Sequence, residues 1–333
     1  MKYRMLMAVF ALFAFAAGAA ADPVVIRFSH VVAPDTPKGK AAEFFRQRVE
    51  ELTRGRVRVE VYPNSSLYKD REEMEALQLG AVQMLAPSLA KFSVLGISEF
   101  EVFDLPYIFD GEHALAKVTN GPIGRRLLAS LESRGIKGLA FWDNGFKSFS
   151  ANTPIHSPED LEGKRMRIQA SKVLEAQMLA LGAVPHMMAF SEVYDALRIG
   201  IVDGTENPHS NLYTQRMHEV QKHLTLTEHG YLGYAVITNR KFWDGLPRGI
   251  RRDLERAMRE ASDYANRIAR EENDRAIAAV RAAGTTEIHE LDEQGRLAFK
   301  RALLPVHRSM AERIGADLIR AIYRETGFDP DAL

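Results

Sequence analysis

The sequence predicts an α/β protein with a mostly parallel sheet, divided into two domains. Strand-like and helix-like segments alternate along the chain, an order typical of α/β folds. The 333 residues begin with a stretch that has the features of a secretory leader, ending at Ala21. The remaining 312 residues (333 minus 21) exceed the usual size of one domain and therefore favour two.

The individual elements follow from hydrophobic periodicity. Residues 57–62 alternate with a period of two and predict a strand, whereas residues 69–80 have helical spacing and end at Gly80, a residue typical of helix C-termini. The same reasoning predicts further strands at 24–28, 81–86, 139–142, 166–168, 202–204 and 235–238 and further helices at 39–52, 173–181 and 191–200.

One predicted helix is too long for a single domain. Residues 250–283 contain no proline or glycine, and their apolar positions repeat with helical spacing on one face. A helix of this length spans roughly 50 Å and is expected to lie across both domains. A coiled coil is the alternative, but most of the apolar positions are alanine and do not sustain a heptad.

Composition and the N-terminus place the protein outside the cytoplasm. Lys2 and Arg4 precede an apolar run at 5–17 and the small residues Ala19–Ala21, the pattern of a signal peptide cleaved after Ala21. We therefore expect a periplasmic protein. The chain has no cysteine, which excludes disulfides and thiol catalysis, and its 44 basic and 44 acidic residues give no indication of nucleic-acid binding.

Motifs for catalysis are absent from the sequence. It contains no G-x-S-x-G, Walker A or G-x-G-x-x-G pattern, and no carboxylate pair stands out. His218 and His223 are five residues apart rather than the four that a helical zinc motif requires, so we interpret the segment as a solvated helix face. We expect no enzyme, cofactor or metal.

Residues 165–209 instead contain the groups needed to hold a small carboxylate without reacting with it. Arg167 offers a guanidinium at a predicted strand end, Phe190 an aromatic ring and Asn207 an amide. The alternative for Arg167 is a surface ion pair, which we expect for Arg165. The residues alone leave both possibilities open.

Longer segments carry a family resemblance that covers the mature chain. The segments SPEDLEGKRMRIQ, GAVPHMMAFSEVYDALRIGIVDGTENP and EVQKHLTLTEHGYLGYAVITN resemble TRAP-transporter solute-binding proteins. The segments IRFSHVVAPDTPKGKAAEFF, VYPNSSLYKDREEMEALQLGAVQMLAPSLAKF, FEVFDLPYIF and GLAFWDNGFKSFSANTP are similar to the DctP type, which binds C4-dicarboxylates.

The resemblance implies a two-lobed periplasmic binding protein with a long helix spanning both lobes. It implies a receptor that closes its cleft on malate, succinate or fumarate and delivers the ligand to the permease subunits of a TRAP transporter. The expected boundaries are 22–145 plus 233–273 for lobe I and 146–232 plus 274–333 for lobe II.

Site residues are carried over at matching positions. Arg167 matches the arginine that pairs with the ligand carboxylate, Asn207 the amide that bonds to the same group, and Phe190 the aromatic wall. Lys147 stands where sialic-acid-binding relatives have a second arginine, and Ser88 where they have an acidic contact.

Further candidates have less specific matches. Lys38 and Lys69 compete with Lys147 for the second carboxylate, and Trp142 and Tyr234 are either pocket or core residues. A polar network near the hinge is implied for a separate set of three residues, namely Lys91, Glu206 and His229.

Two alternatives remain open from the sequence. The same receptor could bind a keto, aromatic or sugar acid, or the chain could be a secreted enzyme acting on a carboxylate. The absence of a nucleophile or metal constellation from the sequence disfavours the enzyme.

Overall fold

The computed structural model describes residues 22–330. The predicted leader lies outside this range. Within it, nine strands form one sheet: β1 (Val24–Ser29), β2 (Val57–Tyr62), β3 (Met84–Leu85), β4 (Ile136–Ala151), β5 (Arg165–Ile168), β6 (Val184–Met187), β7 (Gly204–Asn207), β8 (His223–Asn239) and β9 (Glu287–Glu290).

Helices cover the sheet and extend from its edges. The α-helices are α1 (Pro37–Thr53), α2 (Asp70–Leu79), α3 (Gly111–Asn120), α4 (Pro122–Ser130), α5 (Lys172–Ala180), α6 (Val193–Arg198), α7 (His209–Thr214), α8 (Arg240–Gly245), α9 (Arg248–Ala283), α10 (Glu293–Leu303), α11 (Pro305–Ser309), α12 (Ala311–Ile314) and α13 (Ala316–Thr326). Short 3-10 turns occupy Leu89–Leu95, Ser98–Asp104, Leu131–Arg134, Pro158–Leu161, Phe190–Glu192 and Met217–Glu219.

The strand order defines two lobes joined by two shared strands. The order is β2-β1-β3-β8-β4-β7-β5-β6, with β9 paired to β8. Strands β1–β3 form a parallel group in lobe I, and β5–β7 form one in lobe II. The antiparallel strands β4 and β8 run through both lobes and shift register at three places, so the chain crosses between the lobes here.

These central strands differ from the sequence prediction. The predicted strands at 139–142 and 235–238 are parts of β4 and β8, which have 16 and 17 residues. Polar side chains such as Lys147 and Thr225 are buried in these strands and interrupt the apolar pattern. The sheet is therefore mixed, with a long antiparallel pair at its centre.

The long helix α9 is confirmed, and it contacts both lobes. It has 36 residues and buries alanines and larger apolar residues such as Leu254 and Met258 at helical spacing. Its first half packs against α1, with Leu254 and Ala261 in the lobe I core. Further along, Asn273 accepts a hydrogen bond from the backbone of Ser210 on α7, with 2.9 Å between the two atoms. The helix thereby spans both lobes.

The C-terminal segment departs from the expected boundary. Residues of α10 pack in a lobe II core with Met166 and Leu174, as expected for lobe II. The apolar face of α13, including Ile322, packs instead with Phe100 and Val118 of lobe I. On this packing α13 belongs with lobe I, which differs from the expected assignment of residues 274–333 to lobe II.

A second correction concerns the segment containing two histidines. Residues 218–223 are not a solvated helix face, since a 3-10 turn ends at Glu219, His218 is buried and β8 begins at His223. None of the helices within residues 22–330 is both long and apolar enough to span a bilayer.

Candidate functional site

A cavity with an empty volume of about 290 Å³ lies between the two lobes and contains buried cations. A larger groove of about 1140 Å³ lies among the C-terminal helices, but its arginines are exposed. The cavity is lined by Val31, Val32, Lys38, Asp70, Ser88 and Lys91 from lobe I, by Arg167, Gln169, Phe190, Asn207 and Asn211 from lobe II, and by Leu232 and Tyr234 from β8.

Arg167 lies on β5 and is 2% exposed. Its Nε and Nη2 donate to the carbonyl of Met188, at 3.3 and 3.0 Å, and the guanidinium lies 5.6 Å from the centre of the Phe190 ring. Burial lowers the pKa of Arg167, and the nearby Asp70 and Glu206 oppose this effect. Arginine stays charged in proteins, and no carboxylate within residues 22–330 lies at ion-pair distance from Arg167.

Lys38 brings a second cation to the cavity from lobe I. It lies in the first turn of α1, after Pro37 and the N-cap Thr36, and is 1% exposed. Its Nζ donates to the carbonyl of Ala86 at 2.9 Å and lies 3.8 Å from the centre of the Tyr234 ring. Burial lowers the pKa of Lys38 to about 7, and the charge of Lys91 acts in the same direction.

Lys91, by contrast, already has acidic partners. Its Nζ lies 2.8 Å from Asp70 Oδ1 and 2.9 Å from Glu73 Oε1. Burial opposes ionisation of Asp70, but Lys91 and Arg167 lower the pKa of Asp70 to about 2. Lys91 is therefore neutralised by the protein, whereas Arg167 and Lys38 offer charge to the cavity.

The lobes touch each other directly around the cavity. Gln169 Nε2 donates to Ser88 Oγ at 2.8 Å, and the backbone N–H of Phe190 donates to Asp70 Oδ2 at 2.8 Å. At the rim, Lys69 pairs with Glu192 at 2.8 Å. These contacts join residues of opposite lobes, so the structure has a closed cleft.

Amide and apolar groups complete the lining. Asn207 ends β7, where its Nδ2 donates to Thr205 Oγ1 at 3.3 Å, and Asn211 accepts from Asn144 at 3.2 Å. Phe190 and Leu232 contribute apolar surface. Cations, amides and an apolar wall are together suited to a small organic anion.

Behind the cavity, a buried network is centred on Glu206, next to Asn207. The carboxylate of Glu206 lies 2.5 Å from Lys147 Nζ and 2.7 Å from His229 Nε2, and accepts from Gln177 at 2.8 Å. Burial opposes ionisation of Glu206, but Lys147 and His229 hold its pKa below the usual value. The network thereby ties β7 to β4, β8 and α5.

A glycine makes room for this network. Gly230 lies opposite Lys147 in the β4–β8 pair. A Cβ atom at position 230 would come within 2.8 Å of Lys147 Cε. Gly230 therefore leaves room beside β8 for the side chain of Lys147.

Most of the predicted ligand contacts line the cavity. They are Arg167, Asn207, Lys38, Ser88, Phe190 and Tyr234. Their contact with a ligand stays a prediction. The three residues predicted for the hinge, Lys91, Glu206 and His229, do not form a single network. Glu206 bonds to His229, whereas Lys91 bonds to Asp70 and Glu73.

Three predicted ligand contacts lie elsewhere. Lys147 pairs with Glu206 in the buried network, and Lys69 is half exposed in its ion pair with Glu192. Trp142 is fully buried, and its Nε1 donates to Ser262 on α9 at 2.9 Å, so it is a core residue. In each case a partner far away in sequence determines the position.

Sequence reasoning missed Asp70, Gln169 and Asn211. Gln169 lies two residues after Arg167, so strand alternation could have indicated its position. Asn211 follows Asn207 by four residues, and one turn of α7 brings it back to the cavity. For Asp70 the sequence offers no signal, since an acidic residue at a helix start is a common N-terminal feature.

Comparisons with known proteins support this fold. The model for bacterial extracellular solute-binding proteins of family 7, named DctP, matches residues 28–314. The chain belongs to this family. The family is one of solute-binding receptors, and the predicted two-lobed fold and resemblance to TRAP solute-binding proteins are confirmed.

Individual relatives are similar over nearly their whole length. The chain is 65% identical over 308 residues, 92% of each protein, to the C4-dicarboxylate-binding periplasmic protein DctP of Rhodobacter capsulatus. A TRAP periplasmic solute-binding protein of Sulfurospirillum deleyianum with bound succinate is 44% identical, with a TM-score of 0.87 over 90% of this chain and 98% of that one. One from Pseudomonas aeruginosa with bound L-malate is 43% identical, with a TM-score of 0.84 over 86% and 100%.

The Glu206 network predicts a large stability effect. Replacing Glu206 with alanine leaves Lys147 buried without its counter-charge, so the free energy of unfolding should fall by about 3–5 kcal/mol. Urea titration followed by circular dichroism measures this change. The exposed Glu99 provides the control, since Glu99→Ala should change stability by less than about 0.5 kcal/mol. Equal effects of the two substitutions would show that the network contributes nothing.

Proposed function

We propose that the protein is the extracytoplasmic receptor of a TRAP transporter and that it binds a C4-dicarboxylate such as succinate, malate or fumarate. The observation that carries the proposal is the pair of buried cations, Arg167 from lobe II and Lys38 from lobe I, that line one small cavity. The succinate and L-malate bound to similar structures support the same class of ligand.

Each carboxylate of a diacid has a suitable partner. The planar fork of Arg167 can bind one carboxylate through two parallel hydrogen bonds, and Asn207 can donate to the same group. Lys38 can bind the other carboxylate as a point charge, with the hydroxyl of Ser88 in the same cavity. The cavity is much smaller than the groove among the C-terminal helices, which favours a compact acid.

Closure follows from the position of these groups on opposite lobes. A ligand that contacts Arg167 and Lys38 at once is bound fully only when the lobes meet. The Lys69–Glu192 pair and the Gln169–Ser88 bond form in the same closed state. Ligand and interlobe contacts therefore stabilise the same conformation.

The cellular role follows from the leader and the family. Residues 1–21 have the pattern of a signal peptide, so the mature chain begins at Asp22 in the periplasm. The closed, loaded receptor delivers its ligand to the permease subunits in the membrane. The chain acts as a carrier and performs no chemistry on the acid.

Replacing Arg167 with alanine should abolish succinate binding. Loss of a buried charge-assisted contact costs about 2–5 kcal/mol or more, whereas folding should not suffer, because Arg167 has no carboxylate partner within residues 22–330. Isothermal titration calorimetry and a thermal melt without ligand measure the two effects. Arg165→Ala is the matched control, since that half-exposed arginine pairs with Asp203. Wild-type affinity in Arg167→Ala would refute the site.

Replacing Lys38 with methionine should weaken succinate binding by about 2–5 kcal/mol. The substitution keeps an unbranched chain of similar length and removes the charge that faces the second carboxylate. Lys69→Met is the matched control, because Lys69 is half exposed and pairs with Glu192, and it should change the affinity by about 1 kcal/mol at most. If Lys69→Met has the larger effect, Lys38 does not meet the second carboxylate.

Succinate affinity should fall as the pH rises above about 7. Burial lowers the pKa of Lys38 to about 7 in the closed cavity without ligand, and a bound carboxylate favours the ammonium form and raises that pKa. Binding above pH 7 therefore takes up a proton, with a loss of up to about tenfold in affinity per pH unit. Below pH 7 Lys38 is already charged and the affinity levels off.

Calorimetry in buffers of different ionisation enthalpy detects the proton that binding takes up, and Lys38→Met should abolish this uptake. A flat profile would contradict the role of Lys38.

A further inference from the structure

Outside the cavity, a cluster of metal-ligating side chains lies where β9 pairs with β8. Nδ1 of His223 and Nε2 of His289 are 2.9 Å apart. The carboxylate of Glu287 lies 3.6 Å from His223 Nδ1 and 3.9 Å from His289 Nδ1. One ligand atom from each of the three residues lies within 4.8 Å of the others.

The strand register explains why these side chains meet. In the parallel β8–β9 pair, His223 stands opposite Glu287, and Thr225 opposite His289. Side chains alternate along a strand, so His223, Glu287 and His289 project from the same face. The opposite face carries Leu224 and Ile288, which pack into a core of lobe II. The backbone pairing therefore holds the three ligand groups together.

A loop covers the face with the histidines. Thr225 Oγ1 donates to the carbonyl of Ile155 at 2.7 Å, and this contact fixes the loop over the strands. The ring of His156 meets the ring of His289 edge-on, with 4.8 Å between the ring centres. The side chains of His223 and His289 are only 18% and 13% exposed, so solvent reaches the cluster from one side.

We propose that His223, His289 and Glu287 bind one Zn²⁺ ion. Zinc–nitrogen bonds of about 2.0–2.1 Å in a tetrahedral site place neighbouring ligand atoms about 3.3 Å apart, and the separations of 2.9 and 3.6 Å at His223 Nδ1 lie on either side of this value. Imidazole nitrogens favour Zn²⁺ over Mg²⁺ and Ca²⁺, which prefer oxygen ligands. The fourth position belongs to water or to His156.

The zinc site is separate from the anion cavity. On β4, Ala151 pairs with His223 and Gly145 pairs with Leu232, which lines the cavity, and these six residues span roughly 20 Å. Zinc therefore stabilises the attachment of β9, and through it the end of α9, without competing for the organic acid.

Calorimetry with Zn²⁺ tests the site on the mature chain, purified without a histidine tag and freed of metal. We expect one equivalent of Zn²⁺ to bind, and His289→Ala to weaken binding by roughly 100-fold. Zn²⁺ should raise the melting temperature of the wild type but not of His289→Ala. His113→Ala is the matched control, because His113 is exposed on α3, and it should bind Zn²⁺ like the wild type.

Two further measurements keep the test decisive. Glu287→Gln replaces a side chain that is 68% exposed, so it should fold even if His289→Ala does not, and it should weaken zinc binding. Co²⁺ should give visible absorption bands of a four-coordinate site in the wild type, and these should be lost in both variants. If the wild type binds no Zn²⁺, or His289→Ala binds it equally well, the two histidines form only a hydrogen-bonded pair and the proposal is overturned.

Discussion

The guanidinium of Arg167 is removed from water without a carboxylate partner at ion-pair distance among residues 22–330, and the organisation of the cavity depends on this charge. Burying an ion costs several kcal/mol unless another charge or a set of hydrogen bonds compensates it. The Met188 carbonyl and the Phe190 ring compensate only in part. We propose that an anion in the cavity supplies the remainder, which would turn the cost of burial into selectivity for carboxylates.

Two further buried lysines near the cavity already have acidic partners. Lys91 is paired with Asp70 and Glu73, and Lys147 with Glu206, so neither lysine is available as an anchor. Glu206 adjoins Asn207 and bonds to residues of β4, β8 and α5. Because β4 and β8 run through both lobes, this network ties β7, which carries Asn207, to the strands that connect the lobes.

The sequence predicts some features of the fold and of the site, but not others. The α9 helix was predictable because its periodicity is local and uninterrupted. The common position of Arg167, Phe190 and Asn207 at one cavity was predictable because they lie in one distinctive segment, and their contact with a ligand stays a prediction. The lengths of β4 and β8 were not predictable, since buried polar residues interrupt the apolar pattern of these strands. The roles of Lys147 and Lys69 depend on Glu206 and Glu192, more than fifty residues away. Likewise, His223 and His289 are 66 residues apart, and only strand pairing brings them together.

The central claim is that two cations on opposite lobes recognise two carboxylates of one ligand. Succinate and butyrate test it most directly, because they have the same four-carbon chain and differ by one carboxylate. Calorimetry on the wild-type protein should show succinate binding more tightly by about 2–5 kcal/mol. Comparable affinities for the two acids would contradict the account.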